Sequence, residues 1–503
     1  MVSATLNILI YPDVSYVSWA AYPYVLRGSG GFKSCEALFD RVENNDPQLV
    51  ELVILPMKAF GEAEVERLAK ILSTGKNTHL RSITASGHTL PSSALETLGK
   101  ALVSPSASKI CCIAIGDEGM GDEGVESFCQ PISKINGGPI ESIDFSFKSI
   151  TDVGAGTIGR AFGQSKHLKR LDLYRNPGIG DDGMVELCSF ASLHAEGGET
   201  SHAFQVLEHL DIAENEIGPS GAKAFVDCLT KGATALPRLT QIELQASSNP
   251  FGPEGCSYIK SLISQQSVNK SLVKKMSLKK CSIGDEGFVS LVESFQYSCD
   301  GFGVLDVSDN GIGTEAMLTL SVALRENETN IKSFKSLNLA KNAIGDDGVM
   351  TLAGSLKQND KRGNSTLEIL DLSSTKCGIN GAVEVLKCTS LKSVRLFNNN
   401  LGSEGFEALT PLLIGGHPTI EHLDLGGNLA KESAVAALLR AVMVKNEPDN
   451  SVLQTIELGG NEVGEEVEGI LKEMVIVRPE LDVARDRPSV DQPNDLQGDE
   501  RKE

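Results

Sequence analysis

The sequence lacks the features that mark several common classes of protein. No apolar run reaches the roughly 18 residues that cross a membrane, and the first residues, MVSATLNILIYPDV, carry no basic residue before their short apolar run. The 11 cysteines form no CxxC pair, and the 8 histidines form no HExxH or Cys-His grouping. We therefore expect no membrane span, no secretory signal, no metal site and no cofactor.

Basic charge is also in short supply. The chain has 46 Lys and Arg residues against 67 Asp and Glu residues, which gives a net charge of -21 at pH 7. Such a charge keeps a protein soluble and repels nucleic acid and anionic lipid, so neither is expected to be the main partner. Because the cysteines read as reduced, buried thiols, we expect a cytoplasmic protein, with the nucleus as the alternative.

What the sequence does contain is a repeated unit, seen most clearly at residues 334–356, FKSLNLAKNAIGDDGVMTLAGSL. Leu337 and Leu339 alternate with polar residues, which is typical of a strand with one buried face. Beyond the Gly-Asp-Asp-Gly turn, Val349 and Leu352 recur at helical spacing. One such unit cannot cover its own apolar face, so it needs copies on either side.

The copies are present. The second apolar strand position recurs fourteen times, at intervals of about 30 residues: Leu52, Ile83, Ile113, Ile143, Leu171, Leu210, Ile242, Met276, Leu305, Leu337, Leu370, Val394, Leu423 and Ile456. The ninth position of the unit is often asparagine: Asn176, Asn215, Asn310, Asn342, Asn399, Asn428 and Asn461. We expect these amides to bond backbone groups, and we expect looser turns where His88, Glu118, Lys148 or Thr375 takes their place.

Segments such as LKRLDLYRNPGIGDDG (168–183), LEHLDIAENEIGPSG (207–221) and MSLKKCSIGDEG (276–287) resemble the ribonuclease-inhibitor type of leucine-rich repeat. The resemblance covers about residues 49–475. It implies an α/β solenoid shaped as a horseshoe, with parallel strands on the concave face and helices on the convex face. That class includes ribonuclease inhibitors, Ran GTPase-activating proteins and the sensor ends of innate immune receptors, so it does not fix the function.

The pattern divides the chain into three parts. Residues 1–48 do not fit the repeat and are predicted to cap the solenoid, residues 49–478 hold about 14 repeats, and residues 479–503 are predicted to be a disordered tail. Within the first part, Tyr24–Ser34 is similar to a phosphate-binding loop. Phe32 stands where that motif needs a glycine before Lys33, so the sequence favours a cap.

The repeats are longer than the common 20 to 29 residues because of insertions between a helix and the next strand. These insertions are predicted to share one rim: His194–Ala203, Gly232–Pro237, Gln265–Ser271, Gln358–Ser365 and Asn446–Ser451. They indicate either a binding edge or drift in tolerant surface loops. Other motifs have a structural interpretation, since the GxGxxG of Gly154, Gly156 and Gly159 falls on ordinary repeat positions, and the acidic GDEGMGDEG lacks calcium-loop spacing.

One distributed feature remains, at the position between the last two apolar residues of each strand. Its side chains are predicted to point to the concave surface: Val53, Thr84, Ala114, Asp144, Asp172, Asp211, Glu243, Ser277, Asp306, Asn338, Asp371, Arg395, Asp424 and Glu457. Parallel strands lie about 4.8 Å apart, so these residues are expected to form an acidic strip. Such a strip favours a basic partner, although LDL is also simply common in this class of repeat.

Binding energy would come from larger anchors beside the strip, for which we name Arg170, Tyr174, His209, Arg395 and Phe397. The sequence thus predicts a monomeric, non-enzymatic scaffold that binds a protein partner. The first alternative is a GTPase-activating protein or regulator of a Ran-like small GTPase. One observation disfavours it: such proteins carry a long acidic run at the C-terminus, whereas this tail mixes basic with acidic residues. The second alternative is the sensor part of an immune receptor.

Overall fold

The computed structural model describes residues 34–104, 109–189, 204, 206–230, 241–264, 271–297, 299–326, 333–362, 366–444 and 451–485. The first 33 residues of the predicted cap lie outside this part. The loop that is similar to a phosphate-binding loop lies there too, apart from its last residue, Ser34. Four of the five predicted rim insertions also lie wholly or mostly outside it, whereas Gln358–Arg362 of the remaining one belong to a helix.

Short strands form a single open sheet across the described residues. The strands are β1 (Glu51–Val53), β2 (Ser82–Ser86), β3 (Cys112–Gly116), β4 (Ser142–Asp144), β5 (Arg170–Asp172), β6 (His209–Asp211), β7 (Ile242–Gln245), β8 (Val273–Ser277), β9 (Val304–Asp306), β10 (Ser336–Asn338), β11 (Ile369–Asp371), β12 (Ser393–Arg395), β13 (His422–Asp424), β14 (Thr455–Glu457) and β15 (Asp482–Ala484). They lie side by side in chain order, and every pairing is parallel.

One helix precedes the first strand, and a helix lies between each strand and the next. The helices are α1 (Glu36–Glu43), α2 (Glu62–Ser73), α3 (Ser92–Leu102), α4 (Gly121–Ser133), α5 (Asp152–Phe162), α6 (Asp181–Ser189), α7 (Pro219–Thr230), α8 (Gly252–Ile263), α9 (Gly284–Glu293), α10 (Thr314–Glu326), α11 (Gly345–Arg362), α12 (Ile379–Leu386), α13 (Gly402–Leu409), α14 (Glu432–Met443) and α15 (Glu465–Val477). The predicted α/β solenoid, with strands on the concave face and helices on the convex face, is confirmed.

The core lies between the sheet and the helices, and the periodicity of each unit explains it. In the unit at 334–356, the apolar residues that follow the strand and helix periodicity are buried: Phe334, Leu337, Leu339, Val349, Leu352 and Leu356. Burying one such side chain contributes about 1.5–3 kcal/mol, and each repeat buries several of them against its neighbours. The buried clusters of successive repeats join into one continuous core.

The recurring asparagines form a buried ladder through this core. Asn342 donates from Nδ2 to the carbonyls of Val307 (3.0 Å) and Leu339 (2.9 Å). Its Oδ1 accepts from the backbone N–H groups of Asn310 (2.9 Å) and Ile312 (3.0 Å), which belong to the preceding repeat. The amide bonds backbone groups as the sequence predicts, and in addition it ties its own turn to the turn before it.

Three of the four turns that lack asparagine have another side-chain contact with a backbone carbonyl, and the looser turns stay a prediction. Thr375 Oγ1 donates to the Leu372 carbonyl (2.7 Å), and Lys148 Nζ donates to the Ser146 carbonyl (2.9 Å). His88 Nε2 lies 3.1 Å from the Ile54 carbonyl oxygen. A side chain with a donor can replace the amide because the buried carbonyls accept from any N–H or O–H group.

The acidic residues after each turn glycine have a structural role that crosses between repeats. Asp152 Oδ1 accepts from the N–H groups of Gly180 (2.7 Å) and Gly183 (2.8 Å), at the start of α6. A carboxylate is stabilising there because a helix N-terminus carries unpaired N–H groups. A Cβ atom at Gly183 would overlap Asp152 Oδ1, which explains the glycine. Gly154 faces Asp122 in the same way. All three glycines of the GxGxxG motif lie in α5, so they are helix residues of an ordinary repeat.

The two ends of the described chain close the solenoid. At the N-terminal side, Phe39 and Val42 of α1 are buried against the first repeat. At the other side, the sheet continues past residue 478, where the sequence predicts that the solenoid ends. Strand β15 pairs with β14 through Asp482 N to the Gln454 carbonyl (2.8 Å). Backbone pairing needs no leucine pattern, so the apolar periodicity did not reveal this strand.

Candidate functional site

The residues that the sequence assigns to an acidic strip occupy one register row of the sheet. Strand pairing places these residues side by side: Val53, Thr84, Ala114, Asp144, Asp172, Asp211, Gln245, Ser277, Asp306, Asn338, Asp371, Arg395, Asp424 and Glu457. The geometric part of the prediction therefore holds at every strand except β7.

The structure corrects the strand register that the sequence predicts for the seventh repeat. The register pairs Asp211 with Gln245 and His209 with Glu243, so Glu243 lies one row away from the strip. The sequence pattern took Ile242 as the second apolar position, whereas Leu244 holds it, and both side chains are buried. The signal that sets the register is Asn249, which is buried and bonds the same backbone groups as the other ladder asparagines.

Most of the strip aspartates help to end their strands. A carboxylate or amide oxygen accepts from the backbone N–H two residues later, at 2.8–3.0 Å, at Asp144, Asp211, Asp306, Asn338, Asp371 and Asp424. This is the turn that Asp and Asn side chains favour, and it gives a structural reason for the frequency of aspartate in the row. Each side chain uses one oxygen in this bond.

The strip differs between its two halves. On β4, β5 and β6, Asp144, Asp172 and Asp211 follow one another without a cation in their own row. Burial, with the charge of Asp172, raises the pKa of Asp144. Burial also raises the pKa of Asp211 to about 6; Asp172 adds to this shift, while the Ala213 N–H, His209 and Arg170 oppose it. A carboxyl group that is perturbed in this way, on a concave surface, is a candidate functional group.

In the C-terminal half of the strip, the row contains a basic residue. Arg395 of β12 lies between Asp371 and Asp424, and its Nη1 is 3.5 Å from Asp371 Oδ2. Phe397 is half-buried and packs against the backbone of Gly426 and Gly427 on the next repeat. The negative charge of this half is therefore partly compensated within the row itself.

A cluster of charged side chains surrounds Asp172. Arg170 Nε donates to Asp172 Oδ2 at 2.7 Å. His209, which lies beside Arg170 on the next strand, places its Nε2 3.4 Å from Asp172 Oδ1. The side chains of Asp172 and His209 are only 10% and 17% exposed. These contacts bring together two of the predicted anchors and the middle of the acidic strip.

The same cluster continues onto β7 and β8 through Glu243. The other ring nitrogen of His209, Nδ1, lies 3.9 Å from Glu243 Oε2. Glu243 Oε1 in turn lies 3.0 Å from Lys274 Nζ and 3.4 Å from Lys275 Nζ. Glu243 is therefore not a member of the strip, but its carboxylate lies near the Nδ1 side of the His209 imidazole.

Tyr174 belongs to an aromatic group that the sequence reveals only in part. Its hydroxyl donates to Glu214 Oε1 (2.8 Å), and its ring meets the ring of Phe147 edge to face, with centroids 5.2 Å apart. The guanidinium of Arg175 lies 5.0 Å from the centroid of Phe147. Phe147 and Arg175 were missed because both follow their strands in a left-handed backbone conformation, which the strand pattern does not predict.

The predicted anchors therefore fall into two groups. The first group lies at β5 and β6, with Arg170 and His209 on the strands and Tyr174 two residues after β5. Arg395 and Phe397 lie on and after β12, six strands beyond β6. At about 4.8 Å per strand the groups are roughly 30 Å apart. A single small ligand cannot contact both groups.

The described residues contain all of the cysteines, and each is a free thiol. Burial raises the pKa of the Cys281 thiol to about 12, so this group in the asparagine ladder is not a nucleophile at neutral pH. In the part of the chain that the structure describes, no helix is long and apolar enough to cross a membrane.

A parallel sheet in chain order, with a helix after each strand and stacked asparagines in its turns, defines a leucine-rich-repeat solenoid. The family model described as a leucine-rich repeat matches residues 164–188, 205–226, 330–353 and 387–409. Proteins built from such repeats generally act in protein-protein interaction. The ribonuclease-inhibitor subclass stays a prediction.

Several solved structures resemble the chain. A leucine-rich-repeat protein of Leptospira interrogans is 15% identical, with a TM-score of 0.42 over 84% of this chain and 87% of that one. An internalin of Listeria monocytogenes is 14% identical, with a TM-score of 0.40 over 89% and 92%. The ectodomain of the Arabidopsis thaliana receptor kinase GASSHO1/SCHENGEN3, in complex with CASPARIAN STRIP INTEGRITY FACTOR 2, is 17% identical, with a TM-score of 0.36 over 82% and 48%. No curated protein matches the sequence.

Proposed function

We propose that this protein is a non-enzymatic scaffold that binds a protein partner through the acidic strip. The observation that supports the proposal is the run of Asp144, Asp172 and Asp211 on three adjacent strands. Like charges directly opposite each other destabilise a sheet, so this arrangement costs folding free energy. A basic partner offsets that cost, because its cations supply the attraction that the row lacks.

The partner should carry basic side chains along an extended surface rather than a single charge. The strip runs across many strands, and the two anchor groups beside it lie roughly 30 Å apart. Charge of this kind mainly accelerates association and rejects acidic competitors, whereas aromatic and arginine anchors slow dissociation. Arg170 and Tyr174 fit the second role on the N-terminal half.

The test removes charge without removing the turns. Charge reversal would also break the backbone bonds that Asp211 and Asp306 accept, so we choose asparagine, which keeps the acceptor oxygen. The triple variant Asp172→Asn, Asp211→Asn and Asp306→Asn is expected to lower the association rate of a captured basic partner by about tenfold at low salt, with a smaller effect at high salt. Surface plasmon resonance over a range of salt concentrations measures this rate.

The control variant removes the same charge from the convex side. Glu66, Glu315 and Glu407 are exposed on α2, α10 and α13, and their replacement with glutamine changes the net charge equally. This variant is expected to keep the wild-type association rate. Equal rates for the strip variant and wild type at low salt would show that the strip does not capture the partner.

The alternatives from the sequence stay predictions. A regulator of a Ran-like GTPase would raise the rate of GTP hydrolysis by Ran, which is measured with and without the protein. A scaffold leaves that rate unchanged. An immune-receptor sensor is an interaction module as well, so the affinity-capture experiment addresses it together with the scaffold.

A further inference from the structure

We infer that Asp172, His209 and Asp211 form a binding site for one divalent transition-metal ion, of which zinc is the representative. Asp172 ends β5, and His209 and Asp211 are the first and last residues of β6. Each offers one ligand atom, and the three atoms lie within 4.8 Å of one another. Imidazole nitrogen and carboxylate oxygen are both ligands that zinc binds in proteins.

The spacing of the ligand atoms fits one shared ion. His209 Nε2 and Asp172 Oδ1 are 3.4 Å apart. Two ligand atoms on a tetrahedral zinc ion, each about 2.0–2.1 Å from the metal, are separated by about 3.3 Å. The two side chains therefore need almost no movement to bind the same ion.

Two of these atoms are buried polar atoms without a hydrogen-bond partner. Among the described residues, Asp172 Oδ1 and His209 Nε2 both lack one, although they face each other. The Asp172 side chain is 90% buried, since only 10% of it is exposed. Buried polar atoms are nearly always paired in folded proteins, so two facing atoms without hydrogen-bond partners fit an ion that binds to both.

The remaining atoms of the two carboxylates are held in place. Arg170 Nε donates to Asp172 Oδ2 (2.7 Å), which leaves Oδ1 to face His209. The backbone N–H of Ala213 donates to Asp211 Oδ1 (3.0 Å), which leaves the second oxygen of Asp211 for the ion. Bonds of this kind orient the ligands of natural metal sites and reduce the entropy that is lost on binding.

The imidazole is oriented as well. Its Nδ1 lies 3.9 Å from Glu243 Oε2, and Lys274 and Lys275 fix that carboxylate from the other side. At this distance the carboxylate forms no hydrogen bond, but its negative charge favours the tautomer with the proton on Nδ1, which leaves Nε2 for the metal. Glu243, which the sequence pattern wrongly assigned to the strip, thus lies beside the metal-binding histidine instead.

The chain contains its own negative control. His422 and Asp424 on β13 repeat the sequence and register of His209 and Asp211. The residue beside Asp424 on the preceding strand is Arg395, where the first site has Asp172. In addition, His422 Nδ1 is 2.8 Å from Thr455 Oγ1. His-Leu-Asp alone is therefore not a site, and the second carboxylate distinguishes the two places.

Three protein ligands leave one position of a tetrahedral ion open toward the concave surface. Water fills this position, or a side chain of a bound protein. The inference does not rest on the proposed function, because an ion binds here whether or not the strip captures a partner. The sequence predicts no metal site because its ligands come from two different repeats and match no short motif.

The test is a titration of metal-free full-length protein with zinc chloride in an isothermal calorimeter. We expect wild type to bind one equivalent of zinc. His209→Ala and Asp211→Asn are expected to lower the zinc affinity at least about 100-fold. His422→Ala is expected to bind zinc as wild type does. Glu243→Gln is expected to lower the zinc affinity by about 10- to 100-fold, which is the usual effect of replacing a residue that interacts with a zinc ligand.

Thiols also bind zinc, so cobalt identifies the ligands. The visible spectrum of the cobalt-loaded protein is expected to show tetrahedral nitrogen and oxygen ligation that disappears in His209→Ala. Asp211→Asn keeps its bond to Ala213 and serves as the second variant if His209→Ala does not fold, which circular dichroism checks. Wild-type zinc affinity in both variants, or cobalt ligation by thiolate alone, would overturn the inference.

Discussion

Replacing Asn342 with alanine is expected to lower the free energy of unfolding by about 4 kcal/mol, because several buried groups lose their partners at once. The amide is 1% exposed and bonds two N–H groups of the preceding repeat and the carbonyls of Val307 and Leu339. Each buried backbone group that is left unpaired costs about 1–3 kcal/mol. Urea unfolding followed by circular dichroism measures the loss.

Asn380 on α12 provides the comparison. Its side chain is exposed and makes a single bond, from Nδ2 to Asp346 Oδ2 (3.2 Å). Asn380→Ala is therefore expected to change stability by about 0.5 kcal/mol or less. If Asn342→Ala is as stable as Asn380→Ala, water or a rearranged turn satisfies the freed groups, and the ladder does not hold the repeats together.

Asp211→Asn is expected to stabilise the protein by about 3 kcal/mol near pH 8 and by much less near pH 4. The pKa of Asp211 is raised from 3.8 to about 6 in the folded protein, chiefly by burial. Between these two values the folded state binds more protons than the unfolded state, so stability falls as the pH rises. Asparagine is neutral throughout, keeps the bond to Ala213, and escapes this loss.

The measurement compares urea unfolding of wild type and Asp211→Asn from about pH 4 to about pH 8, with a chelator present to remove metal. Asp306→Asn is the matched control, since Asp306 has the same turn bond but lies between Ser277 and Asn338 instead of beside another carboxylate. A difference between wild type and Asp211→Asn that is constant with pH would show that Asp211 does not titrate in this range.

The fold was predictable because its signal is repeated many times. Leu337 and Leu339 are spaced as a strand requires and Val349 and Leu352 as a helix requires, and the same spacing returns in each unit. Errors in one unit are then corrected by the others. The seventh repeat shows the remaining difficulty: where alternate residues are all buried, the apolar pattern fits two registers, and Asn249 is needed to choose between them.

The strip was predictable for the same reason, but the contacts across it were not. Whether His209 meets Asp172 depends on which strands are neighbours and on the direction in which Arg170 pulls the carboxylate. The group of Phe147 and Arg175 depends on left-handed turns at the ends of two strands. Such features require distances between repeats, which the periodicity of a single unit does not contain.

The two kinds of bond between repeats run in opposite directions, and this makes the solenoid difficult to shorten. Asn342 serves the turn before it, whereas Asp152 caps the helix after it. Deleting repeats from the C-terminal side removes the amide from the last remaining turn, and deleting them from the N-terminal side removes the carboxylate from the first remaining helix. Truncated chains therefore expose an unfinished end on either side, so the folding of neighbouring repeats is coupled and the stability of the array depends on its terminal segments.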